Sequence, residues 1–150
     1  MKENWEEIKS NEKQAAGEIP HLLSGIPKVL PALLRAYRLG KRTAIIGFDW
    51  TVTNQVIDKV EEELSELRAA IETDTSSTTE EELCDLLFTV ANLSRHLGLD
   101  PEQALNKANT KFTKRFNEME NYFRENNREL RDVSDKEMEI VWEKIKKELK

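Results

Sequence analysis

The chain reads as all-α, a bundle of about five to six helices, on three observations. Charged residues make up 35% of its 150 residues while only five are glycine, a balance suited to long amphipathic helices. Apolar residues recur at steps of three and four along most of the length, and no stretch alternates as a strand would. Capping residues punctuate that pattern at regular intervals.

The elements follow in order. A first helix is expected over residues 3–16, then a loop over 17–27 holding two prolines. A second helix is expected over residues 27–45, with Val29, Leu30, Leu33, Leu34 and Tyr37 at helical spacing. Pro31 would sit in its first turn, where a missing N–H is tolerated. Gly47-Phe48-Asp49-Trp50 breaks the pattern. Thr53 is the expected N-cap of a third helix carrying Val56, Val60, Leu64, Leu67 and Ile71. Residues 73–77 form a polar linker, and Thr78-Thr79-Glu80-Glu81 offers a capping box for the fourth helix. That helix runs to about Leu97, with Gly98 in the C′ role. Asp100-Pro101-Glu102-Gln103 opens a fifth with an N-cap and a proline at N1. Ser134-Asp135-Lys136-Glu137 is a second capping box, opening a last helix that reaches the C-terminus.

A chain of this length fits one domain over residues 1–150, able to bury a core without staples. Its abrupt helical start suits either a short protein or a domain cut from a longer one. A formal charge of -6 and a pI near 5.1 argue against nonspecific nucleic-acid binding. The single cysteine, Cys84, excludes an internal disulfide framework and suits a reducing cytoplasm. No secretory segment and no apolar run of membrane-spanning length is present, so no membrane partner is expected. The apolar faces outnumber what a small bundle can hide, which points to a homodimer or higher homo-oligomer built by helix packing.

Two acidic clusters carry the chemistry: Glu62-Glu63-Leu64-Ser65-Glu66 and Glu82-Leu83-Cys84-Asp85. Residues three or four apart share a helix face, so two such helices packed side by side would gather four or five carboxylates. Like charges that close repel unless a cation neutralises them, and hard oxygen ligands select Mg²⁺, Mn²⁺ or Ca²⁺. On a wheel of roughly 100° per residue, Glu63 lies about 60° from the centre of the Val56–Ile71 stripe and Glu66 about 120° away. Glu62 falls nearly opposite. Glu63 is thus expected at the margin of the buried face. On the partner helix, Leu83, Leu86, Leu87, Val90, Leu93 and Leu97 make a wide apolar face with Glu82 at its edge, and Asp85 is set among apolar residues. Charge runs on helices are ordinarily solvated faces, and Glu61, Glu80 and Glu81 are read as that alone.

These residues resemble the MazG nucleoside triphosphate pyrophosphohydrolases, of the all-α NTP pyrophosphatase superfamily. The resemblance rests first on Glu62-Glu63-x-x-Glu66 followed by Glu82-x-x-Asp85, an acidic pattern that dUTPase-like and phosphoribosyl-ATP hydrolases share in outline. Flanking segments narrow it: Gly25-Ile26-Pro27, Leu30-Pro31-Ala32-Leu33, Gly47-Phe48-Asp49-Trp50 and Asp85-Leu86-Leu87-Phe88. Further on come Asn92-Leu93-Ser94-Arg95-His96-Leu97-Gly98, Ala108-Asn109-Thr110-Lys111-Phe112 and Arg115-Phe116. The linker over residues 73–77 departs from the pattern in being somewhat longer.

The resemblance implies hydrolysis of a nucleoside triphosphate to the monophosphate and pyrophosphate, dependent on Mg²⁺ with Mn²⁺ as a substitute. It implies Glu63, Glu66, Glu82 and Asp85 as metal ligands and Glu62 as a neighbouring second group or catalytic base. It also implies Lys59, Lys111, Arg115, Trp142 and Lys146 as residues that approach the nucleotide. Lys111 and Arg115, four apart on one face, would clamp phosphates. No serine or cysteine nucleophile is needed, because such chemistry is positioning plus electrostatics.

Other residues are expected to do less. His21 and His96 read as surface or cap residues, Cys84 as a small buried apolar group, and Trp5 and Trp50 as packing. Trp142 fits either a base contact or the stripe Met138-Val141-Trp142-Ile145-Leu149. Two other functions compete: a non-enzymatic helical module that self-associates or binds a protein, and a base-selective relative acting on dUTP, dCTP or a damaged nucleotide. A di-iron carboxylate bundle needs a Glu-x-x-His pair on two helices, and the residue three before His96 is Leu93.

Overall fold

A computed structural model describes residues 21–73 and 76–149. The helix expected over residues 3–16, with Trp5, lies outside them. The described residues hold α-helices, one short 3-10 turn and no strand, as the all-α reading expects. They divide into two compact units, residues 1–102 and 103–150.

In the first unit, α1 spans Ala32–Ala44, α2 spans Thr53–Glu72 and α3 spans Ser76–His96. α2 and α3 pack along each other as a hairpin, and α1 packs on α3. The start of α1 corrects the expected helix over residues 27–45. Pro31 occupies the N-cap with φ -48° and ψ 140°, and the first helical bond runs from Arg35 N–H to the Pro31 carbonyl at 2.9 Å. A proline four residues into a helix removes a needed donor and forces its predecessor out of the helical region. Leu30 and Val29 are therefore left in the preceding turns, and Val29 is 90% exposed.

Two further boundaries shift. Val52, not Thr53, is the N-cap residue of α2 and makes no side-chain cap. Gln55 supplies one instead, its Oε1 accepting from both the backbone N–H and the hydroxyl of Thr51 at 3.1 Å. α3 begins at Ser76, so Thr78 to Glu81 are helical and do not form the expected capping box. Its other end behaves as read: Gly98 has φ +70°, and Leu99 N–H reaches the Ser94 carbonyl at 2.8 Å.

Close packing fixes α1 against α3 at one point. A Cβ on Gly40 would lie 2.0 Å from Asn92 Oδ1 and 3.0 Å from Arg95 Nε, so only glycine fits. Asn92 is 2% exposed and fully engaged: its amide donates to the Phe88 carbonyl at 3.2 Å, and its oxygen accepts from Arg95 Nε at 3.3 Å.

α4 spans Pro101–Glu125, with residues 103–125 in the second unit, and α5 spans Asp135–Glu148. Met119, Phe123, Val133, Val141 and Ile145 form that unit's core, with Leu130, Met138, Trp142 and Leu149 packed against it. α4 ends on Asn127 at φ +54°, with Arg128 N–H on the Phe123 carbonyl at 2.9 Å, the same closure that Gly98 gives α3. The Ser134–Glu137 capping box is present as expected.

Candidate metal centre

Every seventh residue of α2 is buried: Val56, Glu63 and Ala70. The seam with α3 is therefore rotated by roughly 60° from the stripe the apolar spacing suggested, counting about 100° per residue. Glu63 stands at its centre, 5% exposed, rather than at its margin. Ile57, Leu64 and Ile71, also seven apart, face outward. On α3 one row of half-buried and buried positions is Glu82, Leu86, Thr89, Leu93 and His96, while Leu83, Leu87, Val90 and Leu97 are exposed. Each helix thus carries two rows, an inner one with polar members and an outer one that is apolar.

The inner rows bring three carboxylates together. One oxygen from each of Glu63, Glu66 and Glu82 lies within 4.8 Å of the others. Glu82 is pushed above its ordinary carboxyl range, first by desolvation and then by the charges of Glu66, Glu63, Asp85 and Glu81. Asp85 is exposed and lies outside the 4.8 Å group, although its charge is felt there. Lys59, one turn before Glu63, places Nζ 2.8 Å from Glu63 Oε1 and 2.7 Å from Glu62 Oε1. These two carboxylates, Glu62 first, hold the ammonium well above its ordinary range. Glu62 is otherwise on the solvent side.

The donor set fits a hard divalent ion. It offers oxygen alone, and ligand bonds of roughly 2.0–2.6 Å put donors on opposite sides of one ion about 4–5 Å apart. Among the described residues no sulfur or imidazole joins the group, and Cys84 is exposed rather than buried as expected.

The remaining candidates, Lys111, Arg115, Trp142 and Lys146, lie in the second unit. Lys111 is exposed on α4. Arg115 donates to the Leu149 carbonyl through Nε at 3.3 Å and Nη2 at 2.9 Å. Trp142 packs beside the core with its ring 5.4 Å from that of Phe112, which also stacks on Phe116 at 6.0 Å. Lys146 is ion-paired with Glu143.

One polar cluster escaped sequence reasoning. Asp49 takes a bidentate pair from Arg95, 2.8 Å to Nη1 and 2.5 Å to Nη2, and His96 Nε2 lies 2.9 Å from its Oδ1. The Arg95 hydrogen bonds, aided by His96, hold the Asp49 carboxyl well below its usual range. His96 is thus mostly buried and partnered, not a surface residue, with Trp50 edge-on to its ring at 6.2 Å. The break at Gly47-Phe48-Asp49-Trp50 was the available signal, but its partners lie almost fifty residues away. His21, by contrast, is exposed.

Residues 52–120 match the family model described as the MazG nucleotide pyrophosphohydrolase domain, a span that holds both acidic clusters, Lys111 and Arg115. The chain is 44% identical over 150 residues to a nucleoside triphosphate pyrophosphohydrolase of Escherichia coli (strain K12), covering 96% of this chain and 55% of that protein. It is 39% identical over 142 residues to a nucleoside triphosphate pyrophosphohydrolase/pyrophosphatase MazG of Thermotoga maritima, covering 95% of this chain and 54% of the relative. The chain spans about half the length of the curated relatives it matches. Through residues 52–120, which open at the N-cap of α2 and carry the carboxylate seam, the chain is similar to the MazG nucleotide pyrophosphohydrolases.

Proposed function

We propose that this chain hydrolyses nucleoside triphosphates to monophosphate and pyrophosphate, a house-cleaning activity on the cytoplasmic nucleotide pool. The observation that carries it is the trio Glu63, Glu66 and Glu82, with oxygens within 4.8 Å across a helix seam. These three, with Asp85 one turn after Glu82 on α3, would hold Mg²⁺, or Mn²⁺ in its place. The ion would supply charge neutralisation and polarisation at the triphosphate. Glu62, adjacent and solvent-facing, is the proposed base for an attacking water. Lys59, Lys111 and Arg115 are the proposed phosphate partners, Arg115 by a bidentate fork in place of the Leu149 carbonyl. Lys146 is a further proposed phosphate partner, and Trp142 the proposed contact for the base.

The outer rows of the hairpin support a homodimer. Equal rotations about two antiparallel helices land on one side of their common plane, so Ile57, Leu64 and Ile71 share a face with Leu83, Leu87, Val90 and Leu97. All seven are exposed. A contiguous apolar face of this kind marks an association surface, and we infer that a second copy covers it. Light scattering at micromolar concentration should give a dimer, and a monomer would reject it.

A panel of eight ribo- and deoxyribonucleoside triphosphates, assayed for pyrophosphate with and without Mg²⁺, tests the activity. Release from several nucleotides only with Mg²⁺ is expected. Release from dUTP or dCTP alone would replace the broad reading with a base-selective one, and no release from any would leave a helical interaction module.

A further inference from the structure

Lys59 stands where a cation is needed. Glu63 is 5% exposed, and its nearest acidic neighbours, Glu66 and Glu82, add charge of the same sign. A buried carboxylate without a counter-charge costs several kcal/mol. The ion pairs of Glu62 and Glu63 both run to the Lys59 ammonium, at 2.7 Å and 2.8 Å. An ordinary surface pair one turn apart contributes little, but here one partner lies inside a helix seam and the other bridges two carboxylates. The lysine stem is flexible and its side chain 32% exposed, so the head can leave without disturbing the helix.

We propose that Lys59 is a resident counter-cation of the metal centre: its ammonium neutralises Glu62 and Glu63 while the carboxylates hold no divalent ion, and it gives way when one binds. The inference rests on the metal-centre reading above and adds an exchange to it. Released from Glu63, the same ammonium becomes available to the incoming triphosphate, so loading the centre and arming the phosphate site are one event.

The test is divalent binding without nucleotide. Mn²⁺ titrations of the whole chain, followed by the paramagnetic resonance of the free ion, compare wild type with Lys59→Met and Lys59→Arg. Removing a competing unit charge should tighten Mn²⁺ binding roughly tenfold in K59M, while K59R, which keeps the charge, stays near wild type. A phosphate-binding or merely structural lysine predicts equal or weaker Mn²⁺ affinity in K59M, and either result overturns the proposal. A second reading needs no loss-of-charge variant. The Lys59 ammonium signal in ¹H–¹⁵N spectra of the wild type should move on adding Mg²⁺ and saturate with ion binding; a signal that stays put also overturns it. Equal affinities sink the role of Lys59 alone, whereas a wild type that binds no Mn²⁺ removes the metal centre and this inference with it.

Discussion

Residues 103–150 close around Met119, Phe123, Val133, Val141 and Ile145, whereas the first unit buries Glu63, Thr89 and Asn92 beside Val56, Ala70 and Ala91. The first set is what stability asks for, each fully buried aliphatic or aromatic side chain contributing about 1.5–3 kcal/mol. The second set is what stability argues against. A carboxylate at the centre of a helix seam lowers the stability of the metal-free fold, a cost that the proposed ion would remove. The two units thus bury different things, one an apolar core and the other a seam with a carboxylate in it, and substitutions in the two should separate.

The largest expected effect is on turnover. Glu63→Gln should lower pyrophosphate release by at least about 100-fold, in the range seen for losing one electrostatic stabiliser, with helix content by circular dichroism unchanged. Phe123→Ala is the converse: a stability loss of about 3–5 kcal/mol by denaturant titration, with kcat/KM preserved well below the new midpoint. If E63Q unfolds the chain, or F123A abolishes turnover while folded, the division fails.

Gly40→Ala probes the seam's packing rather than its charge. The added methyl meets Asn92 Oδ1 at 2.0 Å, and overpacking of this kind should cost about 1–3 kcal/mol in thermal or denaturant melts. An unchanged melting point would show that α1 can stand off from α3.

The smallest effects are acid–base, and their signs oppose. Glu137 is held down to about 2 from an ordinary 4.5 by Arg128 and by Ser134, so its ionised form favours the fold. That contribution is present above about 4.5 and is lost as pH falls toward 2. Glu137→Gln should therefore flatten the acid side of the stability curve. Glu82 is shifted upward, so in metal-free protein its ionisation opposes folding once pH exceeds 4.5. Glu82→Gln should raise the melting temperature at neutral pH without metal and weaken Mn²⁺ binding, the familiar exchange of stability for function. Melting curves of both variants across pH, in a chelator, decide it.

How much of this could be read from residues alone differs between levels. Helix identity was legible because period and caps agree, as at Gly98 and at Ser134–Glu137. Helix starts were not, because Pro31 acts through its predecessor and Gln55 caps from inside its own helix. Glu63, Glu66 and Glu82 were legible as neighbours, but the position of Asp85 outside their group and the orientation of Glu63 were not. Ile57, Leu64 and Ile71 interleave with Val56, Val60 and Leu67, and a single averaged stripe through both rows points between them. Only packing tells an inner row from an outer one. The Asp49–Arg95–His96 cluster was hidden for a different reason, since its members are separated by a whole helical hairpin.

The contact between Gly40 and Asn92 also makes α3 a measuring rod. Helical rise sets Asp85 roughly 10 Å and Glu82 roughly 15 Å back along the rod from that pin. Depth in the seam is consequently metered from a residue that touches neither carboxylate. Inserting one alanine between Phe88 and Asn92 would leave a continuous helix, yet swing both acids about 100° around its axis. Donors that depend on a neighbouring rod tolerate changes of side chain more readily than changes of count.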